Sequence, residues 1–230
     1  MKARVILCAL CCALFGAAHA QFENVHKGDI IDIGGVKAIV FATDGNGHGS
    51  AMSIAVLRGK KDAWCSEKKA AKQVATYSET DGKANTKAVY DYVKANDMNL
   101  SEFPAFEWCH SLGERWYIPA VKQLESFVNF ILGNDQEFDW DDEDEFELNT
   151  EDVSTKSINA RMLEAGGIPF LSSSSAAGQI ITMGVYTSTK ADNDQVYIYE
   201  MDQKKNVWRF RKVAPSTIGK YTVGRAFYDF

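Results

Sequence analysis

Basic charge is in short supply in this chain, with 25 Lys and Arg against 31 Asp and Glu. Binding to a phosphate backbone depends on clustered Lys and Arg, so the balance argues against nucleic acid as a partner. It argues equally against sulphated polysaccharide and anionic lipid. Beyond the first twenty residues histidine is sparse, at His26, His48 and His110, and no His-x-x-x-His or Cys-x-x-Cys spacing supports a transition metal. No Gly-x-Ser-x-Gly elbow frames the run Ser172-Ser173-Ser174-Ser175, which reads as a loop. Repeats of solenoid period are absent. So is any later apolar run near the ~20 residues of a membrane span.

The one apolar run is at the start. Lys2 and Arg4 form a short basic region, Val5 to Ala18 is apolar, and Ala18-His19-Ala20 has the small-x-small form that a signal peptidase accepts. The run is too short for an anchor. Cys8, Cys11 and Cys12 lie inside it, but none follows a clear Leu-small-small triplet at its far edge, which argues against lipidation. Residues 1–20 are therefore expected to be a cleaved signal peptide, with no membrane insertion after its removal. The domain is then 21–230, with 23 basic residues against 31 acidic ones and a formal charge of −8. That length suits one substantial core.

Only Cys65 and Cys109 survive cleavage, in a compartment that permits disulfides. Paired, they would close a loop of about 45 residues, worth roughly 4 kcal/mol by chain entropy. Two buried free thiols are the alternative, because Cys packs well as a small hydrophobe.

Strand patterns open and close the domain. Asp29–Ile33, Gly34-Gly35 and Val36–Phe41 read as a hairpin, and Ser50–Leu57 as a third strand. Helical spacing follows. A short turn covers Lys68–Val74, and Asn85 could cap a helix presenting Ala88, Val89, Tyr92 and Val93. Phe103, Phe106, Cys109 and Leu112 define another helix, stopped by Gly113. A third starts after Pro119, faces Val121, Leu124, Phe127, Val128 and Ile131 inward, and ends at Gly133. A fourth runs from Ser154 to Gly166. Ile180–Ser188, Val196–Tyr199 and Val207–Val213 then predict an antiparallel meander, with Tyr221–Tyr228 as a final strand. Strands at both ends with helices between make the class α+β.

Three boxes carry a resemblance. Cys109-His110-Ser111-Leu112-Gly113-Glu114-Arg115-Trp116-Tyr117-Ile118-Pro119, followed by Gln123-Leu124, resembles a Gly-Trp-Arg/Tyr-Leu-Pro box of exported bacterial domains. Val185-Tyr186-Thr187-Ser188-Thr189 resembles their Tyr-Trp-Ser-Ser-Thr strand, with Tyr186 in place of Trp. Gly224-Arg225-Ala226-Phe227 resembles their closing Val-Arg-Ala-Phe strand, with Thr222 where an Arg often stands. The family is the major-paralogous-domain and Lcl C-terminal-domain group, which is similar to C-type-lectin-like folds and distantly to formylglycine-generating enzymes. The resemblance covers about residues 85–230, leaving 21–84 as N-terminal strands and extension. It implies two main helices packed on a curled antiparallel sheet whose first and last strands pair. It implies long recognition loops over about 134–179, and a structural role for Trp116, Pro119 and Arg225.

Several residues are candidates for chemistry. Asp139, Asp141, Asp142 and Asp144 in the acidic run could hold calcium, which wants six to eight oxygens, although the EF-hand glycine is missing. A solvated or partner-binding loop is the alternative. Trp140 could stack on a carbohydrate or dock a protein. Asp192 and Asp194 could contribute to a ligand or metal site, or simply form a turn. Cys109 and His110 are neighbours, so on a helix they point about 100° apart and cannot act as a nucleophile and base. No cysteine follows Cys109, so the paired-cysteine chemistry of formylglycine-generating enzymes should not carry over. The expectation is an exported, non-catalytic recognition module, periplasmic or on the cell surface. It would bind a glycan or an envelope or surface protein, with no cofactor unless calcium. A structural subunit of a surface appendage or envelope assembly is the alternative. Mass spectrometry of the exported protein should find Gln21 at its N-terminus; an intact Met1 in that fraction would overturn the cleavage.

Overall fold

Two glycines make the first hairpin. Gly34 and Gly35 take φ of 62° and 89°, the pair of positive values that a two-residue type I′ turn demands. Ile30–Ile33 (β1) and Val36–Thr43 (β2) therefore pair antiparallel, with Ile33 opposite Val36. At the far end Asp44 accepts hydrogen bonds from the backbone of Asn46 (2.7 Å) and His48 (3.2 Å). Those bonds turn the chain into Gly49–Ser53 (β3). The computed structural model describes residues 22–57, 63–133, 137, 145–146, 153–170, 184–202, 207–216 and 222–230.

Helices fill the middle: Lys68–Gln73 (α1), Gly82–Ala95 (α2), Pro104–Ser111 (α3), Val121–Leu132 (α4) and Val153–Glu164 (α5), with a 3-10 turn at Leu100–Glu102. The cap of α2 corrects the sequence expectation. Asp81, not Asn85, accepts the hydrogen bond from Ala84 N (2.9 Å) and begins the helix. Asn85 lies inside α2, buried, where it donates to Ser78 O (2.7 Å) and Ser188 Oγ (3.1 Å). A residue so committed to distant partners cannot also serve the helix end. Pro104 occupies the first turn of α3, where no N–H is needed. The helix buries Phe106 and Cys109 and turns His110 outward. All five apolar positions expected on α4 are buried, and Gly133 ends it at φ 65°. No described helix is long and apolar enough to cross a membrane.

Gly184–Lys190 (β5), Val196–Asp202 (β6) and Val207–Val213 (β7) form the predicted antiparallel meander. Glu145–Phe146 (β4) adds to the outer side of β7. The expected final strand is split in two. Thr222–Val223 (β8) runs parallel to β5, whereas Phe227–Asp229 (β9) pairs antiparallel with β3. The sheet orders are β1-β2-β3-β9 and β4-β7-β6-β5-β8. The chain crosses between sheets at Gly224-Arg225-Ala226, so one pleated strand could not serve both. The class is α+β, and the end of the chain closes the sheet that its beginning opens.

Two apolar clusters result. One joins α2 and α3 to Trp64, Cys65 and Trp116. The other lies where α4 and α5 meet both sheets, around Phe127, Phe170, Tyr199, Trp208 and Phe227. The Cys65–Cys109 disulfide is not formed: both are free, buried thiols. Cys65 Sγ engages Glu67 O at 3.2 Å and Cys109 hydrogen-bonds with Tyr90. The segment around Cys65 is held against α3 by aromatic packing, with Trp64 edge-on to Phe106 (5.2 Å) and Phe103 (5.9 Å). Burial pushes the Cys65 thiol up to about 11 and the Cys109 thiol higher still.

Ellman's reagent should therefore titrate neither thiol in the native protein at mildly alkaline pH and both after denaturation. A thiol pKa raised by folding contributes stability below the unfolded value of 9.0 and loses it as pH climbs towards about 11. Urea midpoints should fall across that window, less so in Cys65→Ala; an identical fall in both proteins would refute the assignment.

Candidate functional site

An extended segment between α3 and α4 brings the three sequence boxes together. Its backbone is buried, so each polar group needs a partner. Tyr117 exchanges hydrogen bonds with Phe227 of the closing box (3.0 and 2.8 Å). Ile118 N donates to Thr86 Oγ1 on α2 (3.0 Å), and Pro119 O accepts from Ser188 N on β5 (2.7 Å). Val121 N donates to Thr189 Oγ1 (3.0 Å). Gln123 Oε1 accepts from both Ala120 N (3.0 Å) and Gly82 N (2.9 Å), joining the starts of α4 and α2 through one oxygen. Only glycine fits at position 82: a Cβ there would lie 2.5 Å from Ile118 O.

Arg225 is wholly buried among backbone oxygens. It donates to Ser53 O (3.2 Å), Ile168 O (2.9 Å) and Pro169 O (2.7 Å). Desolvation pulls its guanidinium down to about 9, still cationic at neutral pH. Trp116, Pro119 and Arg225 are thus all buried, and the boxes that hold them meet.

Asp229 ties the end of β9 to the same region. Its Oδ1 accepts from Tyr117 Oη (2.8 Å) and Ser50 Oγ (2.8 Å), and its Oδ2 meets Lys83 Nζ (2.7 Å). Its backbone oxygen accepts from Arg115 Nη2 (2.7 Å), while the Arg115 guanidinium lies 4.5 Å above the centre of the Tyr228 ring. Burial, reinforced by the adjacent Asp229 carboxylate, pushes the Tyr117 phenol far above its ordinary value.

Above this network a cleft of about 350 Å³ opens between α2, with Lys83, Lys87 and Tyr90, and the turn after α3, with Glu114, Arg115 and Tyr117. A second cleft of about 430 Å³ is mainly apolar, with Phe22, Ile33, Leu112 and Tyr228 in its walls. Glu114, Arg115 and Trp116 line both. The sequence reading missed the first cleft. Lys83, Lys87 and Tyr90 do share a helical face by their i, i+4, i+7 spacing, but nothing local to α2 announces the turn opposite.

The other candidates are placed elsewhere. Asp192 Oδ1 accepts from Asp194 N (2.7 Å) within the β5–β6 turn, and Asp194 pairs with Lys72 (2.7 Å). Tyr77 Oη donates to Asn193 Oδ1 (2.6 Å), and the buried Lys190 ammonium donates to Ala71 O, Lys72 O and Val74 O at the end of α1. That turn is strapped to α1. Asp139, Trp140, Asp141, Asp142 and Asp144 lie outside the described residues. Among the described residues no group of three or more His, Cys, Asp or Glu could hold a metal ion.

No family model matches the chain. No curated protein matches it. Among solved structures it is similar to a fimbrial protein from Bacteroides ovatus ATCC 8483, at 17% identity and a TM-score of 0.45, over 80% of this chain and 36% of that one. The chain spans about a third of the length of that protein, and a likeness so distant carries no argument.

The junction has a measurable weight. Gln123→Leu strands the Gly82 and Ala120 N–H groups, and at about 1–3 kcal/mol for each unmet buried donor the loss should be roughly 2–6 kcal/mol. Gln123→Glu retains the acceptor and should lose less. Equal losses in chemical denaturation would show that the shared oxygen is not what joins the helices.

Proposed function

We propose that the mature chain is an exported, non-catalytic recognition module of the periplasm or cell surface that binds a glycan or protein ligand. The observation that carries the reading is the cleft between α2 and the Glu114–Tyr117 turn. Its polar side chains stand on a junction whose own hydrogen bonds are already made, which leaves them ordered for a ligand. The nucleophile candidates support the same reading: Cys65 and Cys109 are buried and held protonated by their surroundings. We further infer a C-type-lectin-like domain related to the major-paralogous-domain and Lcl C-terminal-domain group. The buried Trp116, the pairing of β3 with β9 and the meeting of the three boxes support that reading.

A second reading is a structural subunit of a surface appendage or envelope assembly. It has support in the first sheet, where β1 is an outer strand that pairs, among the described residues, with β2 alone. Such an edge can accept an extended segment from another chain.

Glycan and protein arrays probed with the mature domain, with and without chelator, test the recognition reading, and discrete saturable binding is expected. Uniform silence there, together with concentration-dependent self-association in size exclusion or capture of a discrete envelope partner, would transfer the assignment to the structural subunit.

A further inference from the structure

Within that recognition reading, on which this inference rests, we propose that the α2 cleft is a calcium-independent site for a neutral saccharide with adjacent hydroxyls. Charge decides first against a free anion. Lys83 is paired with Asp229 and Lys87 with Asp91, and the lining also holds one cation, Arg115, and one carboxylate, Glu114. The cations and carboxylates of the cleft balance, so it holds no uncompensated positive field to draw an acidic ligand.

Hydrogen-bonding capacity is a different matter. Lys83 spends one N–H on Asp229 and Lys87 one on Asp91, while Arg115 spends one on the backbone of Asp229. An ammonium and a guanidinium have further donors to give. Glu114, at the rim, is exposed and supplies acceptors without donors. Tyr90 Oη donates to Phe106 O (3.1 Å) and meets the buried Cys109 thiol, so its hydroxyl is spent in the core and only its ring serves the cleft. A pair of neighbouring sugar hydroxyls both donates and accepts, and this alternation of donors with an isolated carboxylate matches it. The half-buried Tyr90 ring offers an apolar wall for the C–H side of a sugar.

Size and rigidity agree with this choice. A volume of about 350 Å³ is at the small end of ligand clefts, and a stable protein partner would need roughly 800 Å² of contact from each side. Lys83 and Arg115 are held in place by Asp229 before any ligand arrives, so less side-chain freedom is lost on binding.

The test uses the mature chain in calorimetric titration against neutral oligosaccharides and their uronic-acid counterparts, with Glu114→Gln and Lys87→Met as variants. Both positions are exposed, and circular dichroism checks that the folds match. Each variant should bind a neutral oligosaccharide about tenfold more weakly, the weight of one hydrogen bond to a charged group. EDTA and added salt should change little. Saccharide binding that both variants retain within about twofold would place the site elsewhere and overturn this inference while the recognition reading stands. Binding lost to EDTA, or confined to uronic acids and steeply salt-dependent, would also overturn it. No binding to any saccharide, with protein ligands still captured, would remove the saccharide and keep the module.

Discussion

A short extended segment, Tyr117 to Val121, passes through the interior with its backbone cut off from water. A buried amide or carbonyl left without a partner costs about 1–3 kcal/mol, so the segment can exist only where other elements come to meet it. Here α2 supplies Thr86, β5 supplies Ser188 and Thr189, β9 supplies the backbone of Phe227, and Gln123 turns back to serve Ala120 and Gly82 together. Each partner comes from a different part of the chain. The obligation to satisfy this segment therefore sets the position of a helix, of both sheets and of the start of α4.

The same rule explains two buried cations. Lys190 and Arg225 each spend their donors on backbone oxygens rather than on a carboxylate: Lys190 on the unpaired carbonyls at the end of α1, Arg225 on the 168–169 backbone and the end of β3. Carbonyls at a helix end or a chain crossing would otherwise be orphaned. A charge in such a place stabilises only when several oxygens surround it. Both residues fasten an irregular segment to a sheet, which is where a fold with long connections is weakest. The candidate cleft borrows its rigidity from this framework through Asp229, whose carboxylate and backbone oxygen hold Tyr117, Lys83 and Arg115.

Much of the architecture was legible in the chain. The Gly34-Gly35 turn, the apolar face of α4 with its Gly133 stop and the three-strand meander all follow from local periodicity and turn chemistry, and each lies where the pattern put it. Three features were misread by that local pattern or left open by it. Asn85 has the chemistry of a cap, but its partners are Ser78 and Ser188, the latter more than a hundred residues away. Cys65 and Cys109 have the arithmetic of a disulfide, but each thiol already has a separate partner. The apolar run ending at Tyr228 has the look of one strand, yet its two halves pair with different sheets. For the cap and the strand a long-range partner overrode a sound local preference, whereas Cys65 is engaged by a carbonyl only two residues on.

The amino-acid sequence by itself determined the α+β class, the elements and the scarcity of basic charge, because periodicity, turn residues and net charge are properties of neighbours and of totals. Tertiary structure alone decided which boxes touch, that the cysteines remain apart as thiols, and that Lys83, Lys87 and Tyr90 face Glu114 and Arg115 across a cleft. Those facts depend on hydrogen bonds and packing between residues far apart in the chain, and no local pattern encodes the distance between them.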